Sequence, residues 1–288
     1  MKIVVAKHMG FCGGVKRAVE MARSTAEQSS GPVFTWGPLI HNPQVVRQLE
    51  EAGVRVAGSP EELRGEAFIV SAYGVEGAVL EMARARGMRI VDATCPVVIR
   101  AHTLALKLVE EGYDVIAVGD HGHPEMVTLK EVLGDRVTVV HTLEEARQVK
   151  VGPRVGVISQ TTQSQENFQR IVADLVVRAK EIKIINTLCP AITVRQVEAN
   201  QLVQEVDALV VIGGHQSSNT TRLYEIGRAN GIPTYHVEVA DELKAEWFED
   251  VEIVGVTSGA STPDWIIADV IARLQQISRR KELTQASS

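Results

Sequence analysis

Asp114-Val115-Ile116-Ala117-Val118-Gly119 decides the fold class of this chain. The run is short, almost continuously apolar, and bounded by a charged residue and a glycine. Such a run is typical of a strand that is buried on both faces of a parallel sheet. A helical pattern precedes it at 97–111, and short apolar runs alternate with helical patterns from one end of the chain to the other. The sequence therefore predicts an α/β protein built from βαβ units.

The strand candidates share this short apolar pattern and lie at 2–6, 33–36, 67–71, 89–93, 114–119, 137–140, 155–159, 182–185, 208–213, 234–237 and 252–257. The chain has three cysteines, Cys12, Cys95 and Cys189, and each follows a predicted strand and precedes a predicted helix. Their even spacing predicts three small α/β lobes that are bounded near the cysteines. The predicted lobes are 13–95, 96–189 and 190–288, with the N-terminal segment 1–12 joining the third.

Composition excludes some classes of function. The net charge of −6 argues against a general nucleic-acid binder. No apolar run reaches the roughly 18 residues that a membrane helix needs, and the N-terminus lacks the apolar core of a signal peptide. We therefore expect a cytoplasmic protein with neither a nucleic acid nor a membrane as partner. The polar stretch 279–288 is expected to fray.

The three cysteines share a position that suits a metal. A disulfide is improbable in the cytoplasm, and a lone thiol is more often a packed core residue. All three, however, follow the C-terminal end of a predicted parallel strand, where ligands bind, and precede a helix N-terminus, which stabilises a thiolate. Three thiolates leave one open position on a four-coordinate metal. Their spacing leaves both zinc and an iron–sulfur cluster open.

Polar clusters follow other predicted strands. Hydroxyl and amide groups at predicted helix starts suit a phosphate or diphosphate, although any one of them alone is better explained as an ordinary helix cap. Glu125, close to His123, is a candidate proton shuttle if burial tunes its pKa. The candidate polar residues are His41, His123, Glu125, Thr161, Ser217, Ser218, Asn219 and Ser261.

Seven motifs carry a resemblance to a known family. In chain order they are Gly-Phe-Cys-Gly-Gly-Val-Lys-Arg-Ala at 10–18, His-Asn-Pro at 41–43, Asp-Ala-Thr-Cys-Pro at 92–96, His-Pro-Glu at 123–125, Ser-Gln-Thr-Thr at 159–162, Ser-Ser-Asn at 217–219 and Gly-Ala-Ser-Thr-Pro-Asp at 259–264. With these motifs in this order, the chain closely resembles the 4-hydroxy-3-methylbut-2-enyl diphosphate reductase family, also called IspH or LytB. The resemblance covers nearly the whole chain.

The resemblance implies a trefoil of three α/β lobes around a central [4Fe–4S] cluster. Cys12, Cys95 and Cys189 would ligate the cluster and leave one iron without a protein ligand. The implied reaction is the last step of the non-mevalonate isoprenoid pathway. The 4-hydroxyl group of the allylic diphosphate meets the open iron and is removed as water with two electrons and two protons, which gives isopentenyl and dimethylallyl diphosphates.

The resemblance also implies roles for the polar residues. Glu125 matches the proton donor, and Thr161 matches the residue that helps to hold the substrate hydroxyl. Ferredoxin or flavodoxin would supply the electrons. The positions that match the diphosphate pocket are His41, Tyr73, His123, Ser217, Ser218, Asn219 and Ser261.

The sequence departs from the family pattern in three places. Tyr73 replaces a histidine, Ile192 replaces a threonine after the third cysteine, and the segment 126–130 lacks the usual glycines. We expect these changes to make the pocket more apolar near the iron and to weaken diphosphate binding. A divergent but working reductase is the favoured interpretation. The alternatives are a paralogue with another allylic or aromatic substrate, a non-enzymatic iron–sulfur sensor or electron carrier, and a cluster-free phosphate-binding protein.

Overall fold

The structure is a computed structural model, and it describes residues 1–286. The last two residues of the predicted third lobe, 287–288, lie outside the described residues. The strands are β1 Lys2–Val5, β2 Val33–Trp36, β3 Val54–Ala57, β4 Ala67–Val70, β5 Arg89–Asp92, β6 Asp114–Val118, β7 Val137–Val140, β8 Arg154–Ser159, β9 Glu181–Ile184, β10 Ala208–Ile212, β11 Thr234–Val237 and β12 Ile253–Ser258. The α-helices are α1 Gly13–Gln28, α2 Pro43–Glu51, α3 Gly77–Ala85, α4 Pro96–Glu110, α5 Pro124–Leu133, α6 Leu143–Gln148, α7 Gln165–Arg178, α8 Pro190–Leu202, α9 Ser218–Ala229 and α10 Asp264–Ala286.

The strands of residues 1–286 form three four-stranded sheets. Their orders are β3-β2-β4-β5, β7-β6-β8-β9 and β1-β12-β10-β11, and every pairing is parallel. The predicted α/β class with three mainly parallel sheets is therefore confirmed.

The three sheets repeat one plan. In each sheet an edge strand lies between the two inner strands in the chain, and the order of the strands reverses between these inner strands, so each sheet has a switch point where ligands bind in open α/β folds. A cysteine follows one edge strand of each sheet: Cys95 follows β5, Cys189 follows β9 and Cys12 follows β1. The switch points and these edge loops are the places where the sequence predicted functional residues.

Strand β6 shows why the fold forms. Ile116 and Val118 pack into one apolar cluster, and Val115 and Ala117 pack into another. Because successive side chains of a strand point to opposite faces, the continuous apolar run predicts this burial on both faces. Strand β10 behaves in the same way, since its side chains divide between two clusters.

The described residues divide into two compact units. One consists of residues 1–12, 41–43 and the described residues from Pro190 onward, and the other consists of 13–40 and 44–189. The first unit contains the sheet β1-β12-β10-β11, in which β1 pairs with β12. The second contains the other two sheets. The three lobe boundaries stay a prediction.

Helix α10 continues through the polar stretch as far as Ala286, and the expectation that this stretch frays stays a prediction. Two polar side chains near this end of the helix, Ser278 just before the stretch and Lys281 within it, bind the body of the first unit. The Ser278 hydroxyl donates to the Met1 carbonyl at 2.9 Å, and the Lys281 ammonium donates to the Val251 carbonyl at 2.9 Å. These bonds tether the last turns of the helix. None of the helices in the described part of the chain has the length and apolar character of a membrane span.

Candidate active site

Glu125 and Thr161 meet at the switch point between β6 and β8. These strands pair in parallel with Val118 opposite Ser159, so the loops that follow them leave the sheet side by side. The Gln160 side chain bridges the two loops, because it accepts a hydrogen bond from the Asp120 amide at 2.8 Å. The loop after β6 opens α5, and the second residue of α5 is Glu125.

The carboxyl group of Glu125 is held at both oxygens. The Thr161 amide donates to Oε1 at 2.9 Å, and the Thr161 hydroxyl donates to Oε2 at 2.8 Å. Glu125 is fully buried, with 0% of its surface exposed. A buried carboxyl group in which neither oxygen contacts a cation is unusual outside functional sites.

Burial raises the pKa of Glu125 to about 7. The two hydrogen bonds from Thr161 oppose this rise, and the negative charge of Asp120 adds to it. Burial has the largest effect because it penalises the charged form of the group. A carboxyl group with a pKa near neutrality can both give and take a proton at physiological pH, as a general acid requires.

The raised pKa predicts a specific pH dependence of stability. Between pH 4.5 and about 7 Glu125 ionises in the unfolded chain but keeps its proton in the folded chain. The unfolded state then binds fewer protons, so the free energy of unfolding falls with rising pH, by about 3 kcal/mol in total. Glu125→Gln removes this term. In urea unfolding of the cluster-free protein, the free energy of unfolding of Glu125→Gln relative to that of the parent should therefore rise by about 3 kcal/mol between pH 4.5 and pH 8.

Glu110→Gln is the matched control, because it removes an exposed carboxylate from α4. Its stability should follow the parent's at every pH. Parallel curves for Glu125→Gln and the parent would contradict the raised pKa.

His123 and Tyr73 form a second contact in this unit. His123 is the N-cap of α5, and its Nδ1 accepts a hydrogen bond from the Glu125 amide at 3.2 Å. Because Nδ1 is an acceptor, the neutral ring carries its proton on Nε2 and can donate from there. The Tyr73 ring meets this imidazole edge to face, with 5.2 Å between centroids. The two residues predicted to bind the diphosphate therefore lie together, and the Tyr73 ring contacts the His123 imidazole.

Cys95 and Cys189 lie in the loops that follow β5 and β9. The Cys95 amide donates to the Ala72 carbonyl at 3.0 Å, and the Cys189 amide donates to the Thr161 carbonyl at 2.8 Å. Each cysteine is therefore anchored to the loop of a neighbouring strand. Arg17 of α1 donates to the Thr94 carbonyl at 3.1 Å and so contacts the residue before Cys95.

In the other unit, the start of α9 lies at the switch point between β10 and β12. The Ser217 hydroxyl caps this helix by accepting a hydrogen bond from the Thr220 amide. Only 4% of the surface of Asn219 is exposed, and neither amide atom of its side chain has a hydrogen-bond partner among the described residues. A buried amide without a protein partner costs free energy, so Asn219 is a candidate for contact with a ligand or a water molecule. Ser218 is half-buried on the same turn.

Glycine is required where the loop after β12 passes this helix. A Cβ at Gly259 would lie 2.0 Å from Oγ1 of Thr220, which no side chain can tolerate. The loop after β12 therefore lies directly against the first turn of α9. A helix N-terminus that is approached this closely by a glycine-bearing loop resembles the phosphate sites of α/β proteins.

His41, Ser261 and Cys12 complete the predicted residues of this unit. The Ser261 hydroxyl donates to the His41 carbonyl at 3.2 Å. Burial lowers the pKa of His41 to about 4, so its imidazole is neutral at neutral pH. The Cys12 amide donates to the Ala260 carbonyl at 3.1 Å, which places Cys12 beside the same loop.

The chemistry of the three cysteines fits an iron–sulfur cluster. They form no disulfide, each is half-buried, and each directly precedes a helix N-terminus. Among residues 1–286 no three His, Cys, Asp or Glu side chains are grouped so as to hold a metal ion. The cluster and its ligands therefore stay a prediction.

Several residues at which the sequence departs from the family pattern have defined places in the structure. Ile192 is buried on α8. Met126 packs in the apolar core, and a Cβ at Gly119 would lie 2.7 Å from its sulfur atom. Thr128 faces Gly74, whose φ of 93° requires glycine.

Comparison with known proteins identifies the family. The sequence profile described as "LytB protein" matches residues 3–275. The chain belongs to the LytB protein family. A relative from Geobacter sulfurreducens, named 4-hydroxy-3-methylbut-2-enyl diphosphate reductase, is 46% identical over 98% of this chain and 100% of its own length. The relative of the same name from Aquifex aeolicus is 42% identical over 96% of both chains.

Solved structures agree with this membership. A structure of (E)-4-hydroxy-3-methyl-but-2-enyl diphosphate reductase, the terminal enzyme of the non-mevalonate pathway, is 41% identical and covers 96% of this LytB chain and 100% of its own, with a TM-score of 0.67. The Plasmodium falciparum E-1-hydroxy-2-methyl-but-2-enyl-4-diphosphate reductase is 24% identical and has a TM-score of 0.90. It covers 94% of this chain and 87% of its own, and at this identity it shows the fold alone. The family that the motifs predicted is confirmed.

Proposed function

We propose that this chain reduces 4-hydroxy-3-methylbut-2-enyl diphosphate to isopentenyl and dimethylallyl diphosphates, as the last enzyme of the non-mevalonate isoprenoid pathway. Membership of the LytB family and the names of its relatives support the assignment. The observation that carries it is Glu125, a fully buried carboxyl group with a pKa of about 7 beside Thr161. An electron carrier or a sensor has no use for such a group.

Cys12, Cys95 and Cys189 would hold a [4Fe–4S] cluster. With three protein ligands, the cluster supplies electrons and one iron that can act as a Lewis acid on the hydroxyl oxygen. Reduced thiols suit a cytoplasmic enzyme, and a one-electron protein carrier, ferredoxin or flavodoxin, suits a cluster that is reduced in single steps. The cluster, the cytoplasmic location and the electron carrier are all parts of the proposed function.

Glu125 supplies the proton for departure of the hydroxyl group. The alcohol takes up two electrons and two protons; its C–O bond breaks, a C–H bond forms, and the oxygen leaves as water. Glu125 donates the proton to the departing oxygen and becomes a carboxylate, which both hydrogen bonds from Thr161 then stabilise. Thr161 thus holds the carboxyl group in position before the transfer and lowers its energy afterwards.

The first turn of α9 binds the diphosphate. The helix N-terminus, the hydroxyl group of Ser218 and the amide of Asn219 provide the donors that an anion needs. The neutral His41 and His123 contribute hydrogen bonds rather than charge, because one has a lowered pKa and the other spends Nδ1 on its helix cap. Binding of the unreactive diphosphate group supplies energy that positions the reacting carbon.

Asn219→Leu tests this pocket. The substitution removes two buried polar atoms that have no partner in the described structure, so stability should be unchanged or higher. Affinity for inorganic pyrophosphate, measured by calorimetry, should nevertheless fall about tenfold or more, since a hydrogen bond to a charged group is lost. Asn200→Leu on α8 is the matched control and should leave affinity unchanged. A stability loss together with unchanged affinity would contradict the role of Asn219.

The proposed function is tested by anaerobic reconstitution with iron and sulfide, followed by a steady-state assay with the allylic diphosphate and a chemical reductant. The expected result is a cluster spectrum that changes when the diphosphate is added, together with turnover to the two products. A cluster with no change in spectrum would instead indicate a sensor or carrier. A colourless protein after reconstitution would indicate a cluster-free binding protein, and turnover only of another allylic or aromatic alcohol would indicate a paralogue.

A further inference from the structure

The segment 7–12, here called the Cys12 loop, is held by two side chains of α8. The Glu198 carboxylate accepts hydrogen bonds from the Lys7 amide at 2.5 Å and from the His8 amide at 2.9 Å. Arg195 lies three residues earlier on the helix, and its guanidinium donates to the Gly10 carbonyl at 3.0 Å and reaches the Met9 carbonyl at 3.5 Å. On one face of α8, the Glu198 carboxylate thus binds N–H groups of the loop, and the Arg195 guanidinium binds carbonyl groups of the same loop.

The two side chains are committed to this loop. Arg195 has only 6% of its surface exposed, and its other terminal nitrogen donates to the Ala191 carbonyl of its own helix at 2.7 Å. A buried guanidinium is costly unless it is hydrogen-bonded, and here its bonds to the Met9 and Gly10 carbonyls also fix the loop. Burial acts to raise the pKa of Glu198, but the amides of Lys7 and His8 together with the His8 imidazole outweigh it and keep the pKa below its usual value.

The end of the loop nearest the cysteine has little freedom. Gly10 has a φ of 75°, and a Cβ there would lie 2.4 Å from Oδ1 of Asp264. Its amide donates to the Ser258 hydroxyl at 3.1 Å, and the Cys12 amide donates to the Ala260 carbonyl at 3.1 Å. With its carbonyl bound to Arg195, Gly10 is held on both sides, two residues before Cys12.

We propose that Arg195 and Glu198 are positioning residues that fix the backbone of the Cys12 loop and so present the Cys12 thiol in one conformation. The purpose of this arrangement rests on the proposed function, in which Cys12 is a cluster ligand. The fixing of the Cys12 loop by Arg195 and Glu198 is a property of the protein without its cluster. The contact of Arg17 with the Thr94 carbonyl, one residue before Cys95, applies the same chemistry to a second cysteine loop.

The test compares the reactivity of the three thiols in the cluster-free protein. Iodoacetamide labelling followed by mass spectrometry of peptides gives a rate for each cysteine in the same sample. In Arg195→Met the Cys12 rate should rise about tenfold or more, because the charge-assisted bonds that close the loop are lost. Cys95 and Cys189 are the internal references, and their rates should stay within about twofold. Arg195→Lys should restore part of the protection, since its ammonium can still donate to one carbonyl.

Arg222→Met is the matched control. Arg222 is also a buried arginine of this unit with a glutamate three residues further along its helix, but it lies on α9, where its guanidinium pairs with Glu225. Its loss should leave the Cys12 rate unchanged. A uniform rise at all three cysteines, an equal effect of Arg222→Met, or an unchanged Cys12 rate in Arg195→Met would each overturn the proposal.

Reconstitution gives a second measurement. Arg195→Met should retain fewer iron atoms per chain than the parent and Arg222→Met, and its cluster should be lost faster to a chelator. If the parent itself forms no cluster, the proposed function fails, whereas the labelling rates still decide whether Arg195 positions Cys12. If the parent forms a cluster and the Cys12 rate does not respond, the positioning role alone fails.

Discussion

Glu125→Gln is expected to lower kcat by about 10²- to 10⁴-fold, the usual contribution of a general acid. The amide is close in size to the carboxyl group and leaves the helix cap of His123 in place, but it has no acidic proton to give. Turnover of the allylic diphosphate by the reconstituted protein measures the loss. The cluster spectrum and the iron content of the variant should match those of the parent, which separates lost proton transfer from lost cofactor.

The pH profile identifies the mechanism more sharply than the size of the loss. Glu125 must be protonated to donate, and its pKa is about 7. Activity of the parent should therefore be highest below this pH and should fall as the pH rises through it, approaching a tenfold loss per pH unit. The residual activity of Glu125→Gln should lack this fall.

Glu131→Gln is the control for this prediction. Glu131 lies on the same helix, α5, and its carboxylate accepts a hydrogen bond from the Gly77 amide at 2.8 Å, remote from any predicted role. Its kcat and pH profile should be those of the parent. A Glu125→Gln variant with the kcat of the parent would remove Glu125 from the reaction.

Patterns that repeat over short distances made much of the fold predictable. The run at 114–119 required burial on both faces, and β6 is buried on both. Strand β3 was missed because Val54-Arg55-Val56-Ala57 is an edge strand with a charged residue in its middle, so it lacks the continuous apolar run of an inner strand. The contacts near the end of α10 could not be predicted, because Ser278 and Lys281 bind distant carbonyl groups, which composition cannot show.

The candidate site was predictable where its residues share a loop or a strand end. Glu125 was singled out from its neighbour His123, but its contact with Thr161, from which its role follows, required the pairing of β6 with β8. Arg195 and Glu198 gave no signal in the sequence. They lie in an ordinary helical segment, and the residues they bind precede them by more than 180 positions. Such contacts depend on the folding of β1 against β12, which no local pattern encodes.

Replacement of any one cysteine by alanine should abolish both the cluster and the turnover of the allylic diphosphate. Each thiol belongs to a half-buried residue in a loop after an edge strand, so its loss should change the stability of the cluster-free protein by no more than about 0.5 kcal/mol. The effect on iron binding should be far larger, because a cluster with only two protein thiolates has lost a third of its anchoring bonds and a second iron is exposed to solvent. Iron and sulfide content, the visible spectrum and turnover should therefore fall together in Cys12→Ala, Cys95→Ala and Cys189→Ala, while circular dichroism stays unchanged.

The same three variants decide between the metals that spacing alone left open. A zinc site would give a colourless parent with one metal ion per chain and no inorganic sulfide, and its loss would leave no trace in the visible spectrum. An iron–sulfur site gives a brown parent whose colour disappears in every variant. Retention of the full cluster by any one variant would show that the replaced cysteine is not a ligand. The two remaining thiolates would then be fewer than the three that the proposed cluster with one open iron requires. Because the chain has only three cysteines, no other thiol can replace the one removed, so each variant tests one ligand without compensation.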